Sequence, residues 1–473
     1  MVFSSSIFLL YFLPIFLLVY HIVPQKFRNY VILLASVFFY SWGAPKFLFV
    51  ILGSTIIDFY IVKQLFLSQS ENKRKLLLAL SIFINLGLLV YFKYANFFIE
   101  NLNTTLSAIG FNSVEWVKVV LPIGISFYTF QTLTYSIDVF RKKLEPLHKL
   151  TDYLVYIMSF PQMIAGPIVR FSSIADQIIS RKEKIDDKLI GFYRFSIGLA
   201  KKVLIANVMA EQADLIFNGD YANLSTSNAW LGMLAYTFQI YFDFSGYSDM
   251  AIGLGKMMGF KFPENFNSPY ISQSISEFWR RWHITLGDFM RDYLYIPLGG
   301  NRVKSKYRLY FNLWIVFLLS GLWHGASWNY VIWGAFHGVF LIFDRLFLQN
   351  VLTKIGKYPS IILTFIVVMF GWVIFKVEDL AQLKIYLLKL VNFNGDFDFN
   401  TIPAFGLIAI FAVLFSFVTS LKFGKQWGQF MFEKETYTIQ SHLILTLISL
   451  VLLLLSLSFI ISSGFNPFIY FRF

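Results

Sequence analysis

Apolar residues in this chain run in long blocks, separated by short polar stretches, and do not keep to the one-sided stripe of a soluble amphipathic helix. Blocks long enough to cross about 30 Å of hydrocarbon fall near 7–23, 29–45, 47–67, 76–99, 116–140, 189–217, 229–256, 309–324, 329–348, 359–376, 401–421 and 441–463. A spanning segment must satisfy its own backbone polar groups, and helices do so. The pattern therefore predicts an all-α polytopic membrane protein. No linker, charged tail or internal repeat divides the chain, so residues 1–473 read as a single membrane domain. The first block has no basic stretch before it and no small-residue cleavage site after it, and reads as a retained helix.

The polar stretches differ in sign. Lys73–Lys75, Arg141–Lys143, Arg181–Lys184 and Arg302–Arg308 are basic, whereas 100–115, 218–228 and 392–400 contain no Lys or Arg. Placing the basic set in the cytoplasm lets the spans alternate and puts both termini outside. Two segments do not fit as crossings. Tyr153–Val169 lies between basic stretches and contains Pro161, Gly166 and Pro167. It reads as a broken, re-entrant segment, tolerated where protein or water covers the freed backbone. Region 257–308 interleaves Arg280, Arg281, His283, Asp288, Arg291 and Asp292 with Trp279, Trp282, Phe289, Tyr293 and Tyr295. It is too polar to span and too aromatic for a solvated loop. It reads as a helix at the cytoplasmic interface, N-capped by Ser276, whose arginines can meet phosphate or carboxylate.

Composition sharpens this picture. Of the residues, 57% are hydrophobic and 14% charged, and the mean hydropathy is +0.62, which excludes an ordinary soluble domain. The net charge of +13 is assigned to cytoplasmic stretches facing anionic lipid, with no nucleic-acid role. The absence of cysteine removes disulfides and thiolate chemistry. No HExxH, P-loop or nucleophile-elbow motif is present, and no metal site is expected.

The chemistry rests on the histidines. His148 reads as solvated, and His21 and His442 as span-end residues reaching for the interface. His337, in a small-residue setting, reads as a structural hydrogen-bonding group. His324 stands in "SGLWHGASW", between Gly321 and Gly325 and between Trp323 and Trp328. An imidazole kept from water is neutral, and can take a proton from a hydroxyl or attack an activated acyl group. A buried histidine satisfied by a backbone carbonyl fits the same residues, and spacing alone does not choose. Asn329 or amides near Gly325 could serve a developing oxyanion. Asp243 is an intramembrane carboxylate suited to holding a partner side chain or lining a polar path.

"FWRRWHITLGDFMRDYLYIPLGGNR" (278–302) followed by "LWHGASWNYVIWGAFHG" (322–338) resembles the membrane-bound O-acyltransferase family. Segments 121–141, 160–170 and 239–260 resemble it too, and the match is closest to the bacterial branch that acetylates alginate or peptidoglycan. The resemblance implies a ring of about 11–12 transmembrane helices, with re-entrant and interfacial helices, around a central tunnel. It implies His324 as the family's catalytic histidine and His283 as its second. It implies acyl transfer from cytoplasmic acetyl-CoA, a donor substrate with no tightly bound cofactor, across the inner membrane. The expected acceptor is an envelope polysaccharide, reached through a periplasmic esterase-like partner enzyme. Arg280 and Arg281 are expected to attract the donor's phosphates, or else lipid headgroups. The sequence ends "SSGFNPFIYFRF" (462–473), and its tail 464–473 is read as extracytoplasmic. Its pattern resembles the terminal motif of a small acyl-carrying membrane protein, which makes Tyr470 a candidate acyl carrier; an aromatic interfacial belt is the plainer reading. D-alanyl transfer to teichoic acid and a transporter or flippase of an envelope precursor remain as alternatives. The latter would predict inverted repeats, and none is found.

Overall fold

The structure is a computed structural model and describes residues 1–392, 398–432 and 434–469. Among these the regular structure is helical. By length and composition five helices are fit to cross a membrane: Pro45–Leu67, Glu71–Ala108, Trp328–Ile355, Lys357–Lys376 and Ile439–Ser463. A sixth span results if Phe405–Ser420 and Lys422–Phe432, bent by 97°, are taken together. The protein is an all-α polytopic membrane protein. The remaining predicted blocks are carried by shorter or more polar helices. In one of them, 116–140, helix begins only at Ile125, because the preceding residues 111–122 have no regular structure.

The chain divides into two compact units, Met1–Glu183 with Gly259–Pro263, and Lys184–Met258 with Glu264–Phe473. This is a division of packing and does not test the sequence-level reading of one membrane domain.

The first unit contains α1 (Leu13–Ile22), α2 (Arg28–Gly43), α3 (Leu48–Leu67), α4 (Glu71–Ala108), α5 (Ile125–Phe140), α6 (Leu150–Met158), α7 (Phe160–Met163) and α8 (Phe171–Ile179). The predicted re-entrant segment is broken as expected. Helix α6 stops at Ser159, Pro161 sits in the single turn α7, and all of residues 153–169 are buried. A buried polar knot ties this unit together. Asp58 of α3 accepts hydrogen bonds from Ser81 and Asn85 of α4, Ser136 of α5 and Tyr153 of α6. Full satisfaction is what makes a carboxylate tolerable there. His21 lies 3.7 Å from Glu183, and His148 is exposed.

The second unit contains α9 (Ile185–Ala200), α10 (Asn207–Phe217), α11 (Thr226–Met257), α12 (Ile275–Arg281), α13 (Ile284–Met290), α14 (Lys306–His324), α15 (Trp328–Phe343), α16 (Gln349–Ile355), α17 (Lys357–Lys376), α18 (Leu380–Val391), α19 (Phe405–Phe417), α20 (Lys422–Phe432) and α21 (Ile439–Ser463). Its spine is the antiparallel pair α9–α11. A Cβ on Gly191 would come within 2.6 Å of the Gly253 carbonyl oxygen, and one on Gly198 within 2.6 Å of that of Gly246. Only glycine permits this approach, which brings the two backbones together as in tightly packed membrane helices. Arg194 of α9 and Lys201, just past its end, then meet the buried Asp249 of α11 at 2.7 and 2.6 Å. On the outer side of α9, His442 of α21 bonds the Tyr193 hydroxyl at 3.0 Å.

Candidate active site

The interfacial helix expected over 257–308 is two short helices with a break at Trp282–His283. His283 holds φ 44° and ψ 54°, a left-handed conformation rare for residues other than glycine. The cost, of order 1–3 kcal/mol, is offset by bonds that fix the break. The Ile284 amide donates to the Asn265 carbonyl, and the Leu286 and Gly287 amides donate to the His283 carbonyl, at 2.9, 3.0 and 3.0 Å. The cap of α12 also lies two residues earlier than expected. Ser274, not Ser276, accepts the Glu277 amide, and Glu277 accepts the Gln273 amide. The spacing Ser274-Ile275-Ser276-Glu277 is that of a capping box, except that the glutamate reaches the Gln273 amide, one residue before the cap. The Ser276 amide instead donates to Asp344.

This break turns His283 inward, where it is 2% exposed. Its Nδ1 lies 3.0 Å from the Asn265 Oδ1. That oxygen also accepts the Thr285 hydroxyl at 2.8 Å, while the Asn265 Nδ2 donates to Ser248 of α11 at 3.1 Å. With the asparagine oxygen as acceptor, His283 carries its proton on Nδ1 and leaves Nε2 as the basic nitrogen. That Nε2 has no hydrogen-bond partner among the described residues. Burial pushes the His283 imidazole down to about 3, so it is neutral at physiological pH. Asn265 was not anticipated from the sequence. It sits in a polar loop stretch, and nothing local marks it as the orienting group.

His324 ends α14 and is 4% exposed. Gly325 follows in extended conformation, and a Cβ there would lie 2.1 Å from the Tyr330 ring. Gly321 likewise packs against the Tyr330 backbone and Gly334, closing α14 onto α15. The glycines thus serve helix packing, which holds the imidazole in a ring of aromatics: Trp323 at 4.8 Å, Trp333 at 5.1 Å and Phe375 at 5.3 Å between centroids. Trp323 lies 6.1 Å from His283. The two imidazoles therefore share one indole as a neighbour. Trp328, the second tryptophan of the motif, is half exposed and does not shield the imidazole.

His337 departs from its expected role. It is fully buried, edge-on to Trp279, Trp333 and Phe336, and neither ring nitrogen has a hydrogen-bond partner among the described residues. Aromatic packing, with Gly371 making room, holds it in place of hydrogen bonds. Both groups considered for an oxyanion are engaged. The Asn329 amide donates to the carbonyls of Ile374 and Phe375, and the Gly325 amide to that of Gly321. The two arginines part company. Arg281 is committed to Glu277 at 2.8 Å and to the Asn267 carbonyl, whereas Arg280 is exposed.

A small, partly open cavity of about 40 Å³ lies one ring away from His324. Asp214, Tyr236, Gln239, Tyr330, Phe375 and Lys376 form much of its wall, and Pro467–Ile469 of the tail complete it. Gln239 is 5% exposed, and its Oε1 has no hydrogen-bond partner among the described residues. The tail up to Ile469 is thus no free aromatic belt: Phe468 stacks on Tyr247 at 4.8 Å, and both Phe468 and Ile469 are buried. Tyr470 lies outside the described residues.

The model of the membrane-bound O-acyltransferase family matches residues 114–378, which include His283 and His324. The chain belongs to this family. It is 46% identical over 381 residues to a probable alginate O-acetylase of Pseudomonas aeruginosa, covering 80% of this chain and 73% of the relative. It is 37% identical over 433 residues to the peptidoglycan O-acetyltransferase of Helicobacter pylori, covering 84% and 80%. A teichoic acid D-alanyltransferase of Bacillus subtilis is 34% identical over 282 residues, covering 54% and 68%. The protein is thus an integral membrane O-acyltransferase. The tail that walls the cavity lies beyond the matched family region.

Proposed function

We propose that the protein transfers an acetyl group from cytoplasmic acetyl-CoA to a hydroxyl that leads, outside the inner membrane, to an envelope polysaccharide of the alginate or peptidoglycan kind. The observation that carries this reading is the pair of buried imidazoles that share one indole neighbour, in the same compact unit as a cavity walled by the C-terminal tail. Coverage by the alginate and peptidoglycan acetyltransferases favours acetyl over D-alanyl transfer.

A thioester is already activated and needs a base and a donor for its oxygen. In this reading His324 takes the proton of the attacking hydroxyl. A carbon–oxygen bond forms, the carbon–sulfur bond breaks, and the proton leaves with the thiol. His283, with Asn265 fixing its Nδ1 proton, relays that proton or orients the thioester through Nε2. The carbonyl oxygen gathers charge meanwhile and needs a hydrogen-bond donor. Arg280 attracts the donor's phosphates from its exposed position, with Arg281 beside it. Tyr470, next in sequence after Ile469, is the hydroxyl that receives the acetyl group and passes it to a periplasmic esterase-like partner. Both termini then lie outside the cytoplasm.

The test is labelled-acetyl transfer from acetyl-CoA to glycan by the protein together with its partner enzyme. His324→Ala should abolish transfer while leaving a folded protein. Tyr470→Phe keeps the ring and should still consume thioester but acetylate no glycan. A folded His324→Ala protein with near-normal turnover would refute the assignment.

A further inference from the structure

The cavity wall made by Pro467–Ile469 is held by an ion pair buried inside the second unit. Lys202 and Asp243 are each 2% exposed and meet at 2.9 Å. Each also binds the tail. The Lys202 ammonium donates to the Pro467 carbonyl, and the Ile469 amide donates to the Asp243 Oδ2 at 2.9 Å. Lys202 is shared with Asn207 at 2.7 Å, whose own amide reaches the Phe465 carbonyl at 3.3 Å. A buried ion pair is weak evidence for stability, since apolar residues of similar volume often do as well. What this pair does that apolar residues could not is satisfy backbone groups of a segment with no regular secondary structure. The cation takes a carbonyl and the carboxylate takes an amide two residues on. That fixes both the position and the direction of the strand.

We propose that Lys202, Asp243 and Asn207 form a clamp that positions the C-terminal segment Phe465–Ile469 as a wall of the cavity beside His324, and that they are positioning residues for acyl transfer. This rests on the reading above, in which the tail delivers the receiving hydroxyl. The clamp does no chemistry. It sets the position and direction of Phe465–Ile469, the segment next to the receiving hydroxyl in sequence, and so governs the fraction of time that hydroxyl is in reach.

The chain has no cysteine, so Ile469→Cys supplies a single reporter. In purified Ile469→Cys protein the thiol should resist a bulky maleimide. Adding Lys202→Met with Asp243→Leu replaces the pair by apolar groups and should preserve the fold while freeing the tail. Labelling should then accelerate. In the same double substitution without the reporter, kcat for glycan acetylation should fall by roughly 100-fold, while thioester hydrolysis is retained. If the double variant does not accumulate, Ile469→Pro removes the amide that Asp243 accepts and leaves the ion pair intact, and the same split is expected. A tail that stays protected without the pair overturns the clamp. A freed tail with unchanged acetylation overturns the positioning role, as does equal loss of hydrolysis and transfer. Labelling requires no turnover, so failure of the His324 assignment and failure of the clamp are read separately.

Discussion

Helices α11 and α21 are both long enough to cross a membrane, and they are built in opposite ways. Helix α11 carries Thr237, Gln239, Asp243, Ser245, Ser248 and Asp249, and nearly every residue in it is buried. Helix α21 is rich in leucine and isoleucine, yet only Leu445, Ser449 and Ser456 are buried. Its leucines point outward: Leu443, Leu447 and Leu454 are each about two-thirds exposed. Lipid is as apolar as leucine, so burying leucine brings no hydrophobic gain there, and small or hydrogen-bonding residues take the interior instead. Hydropathy therefore marks the outside of this protein, and polarity marks its working interior.

The comparison can be broken most severely at the α9–α11 contact. A side chain at Gly198 would meet the Gly246 carbonyl at 2.6 Å and the Met250 amide at 2.7 Å, both backbone atoms that cannot swing aside. Gly198→Val should therefore yield little folded protein in detergent, as judged by size-exclusion chromatography, and no acyl transfer. A monodisperse, active variant would mean that the interior pair tolerates separation, and the contrast with α21 would lose its physical basis.

A second test concerns dryness. His283 packs edge-on against Phe244 of α11 and is tied to Ser248 of that helix through Asn265. Its folded value near 3 lies below the ordinary 6.5. Between these values the unfolded chain binds a proton that the folded one does not. The resulting stability is complete above about pH 6.5 and is lost as pH falls towards 3. His283→Gln should thus flatten the decline in melting temperature between pH 7.5 and 5. An unchanged slope would show that the imidazole is hydrated and that the interior is wetter than α11 suggests.

The same contrast explains what the sequence revealed. The most apolar block, 441–463, was legible because a lipid-facing surface is written as near-continuous hydropathy. The break at Pro161 was legible because proline interrupts a helix in any surroundings. Block 116–140 misled because Val117 and Val120 are exposed residues of an irregular segment rather than part of α5. At the site, His324 and His283 stood out as rare titratable groups in aromatic settings. Their supports did not. Asn265 acts across 18 residues of sequence and Lys202 across 41 to reach Asp243, and no local spacing encodes such partners. His337 was misjudged for the same reason: its neighbours come from α12, α15 and α17, and they supply rings in place of acceptors.

The smallest effect is expected on α21 itself, and there the two ways of reading a helix predict opposite signs. Ser449→Leu makes α21 more apolar, and by hydropathy alone it should strengthen the span. The residue is 2% exposed on the face that packs inward, so the added methylenes must be accommodated in a filled interior. Overpacking of that kind costs about 1–3 kcal/mol, and the melting temperature in detergent should fall by a few degrees. Leu454→Ala makes the same helix less apolar but removes atoms from an outward position, and surface changes of this sort stay within about 0.5 kcal/mol. Its melting temperature should match the parent's. If Leu454→Ala is the more damaging of the two, leucine at that position is covered in the folded protein and α21 does not form an outer wall.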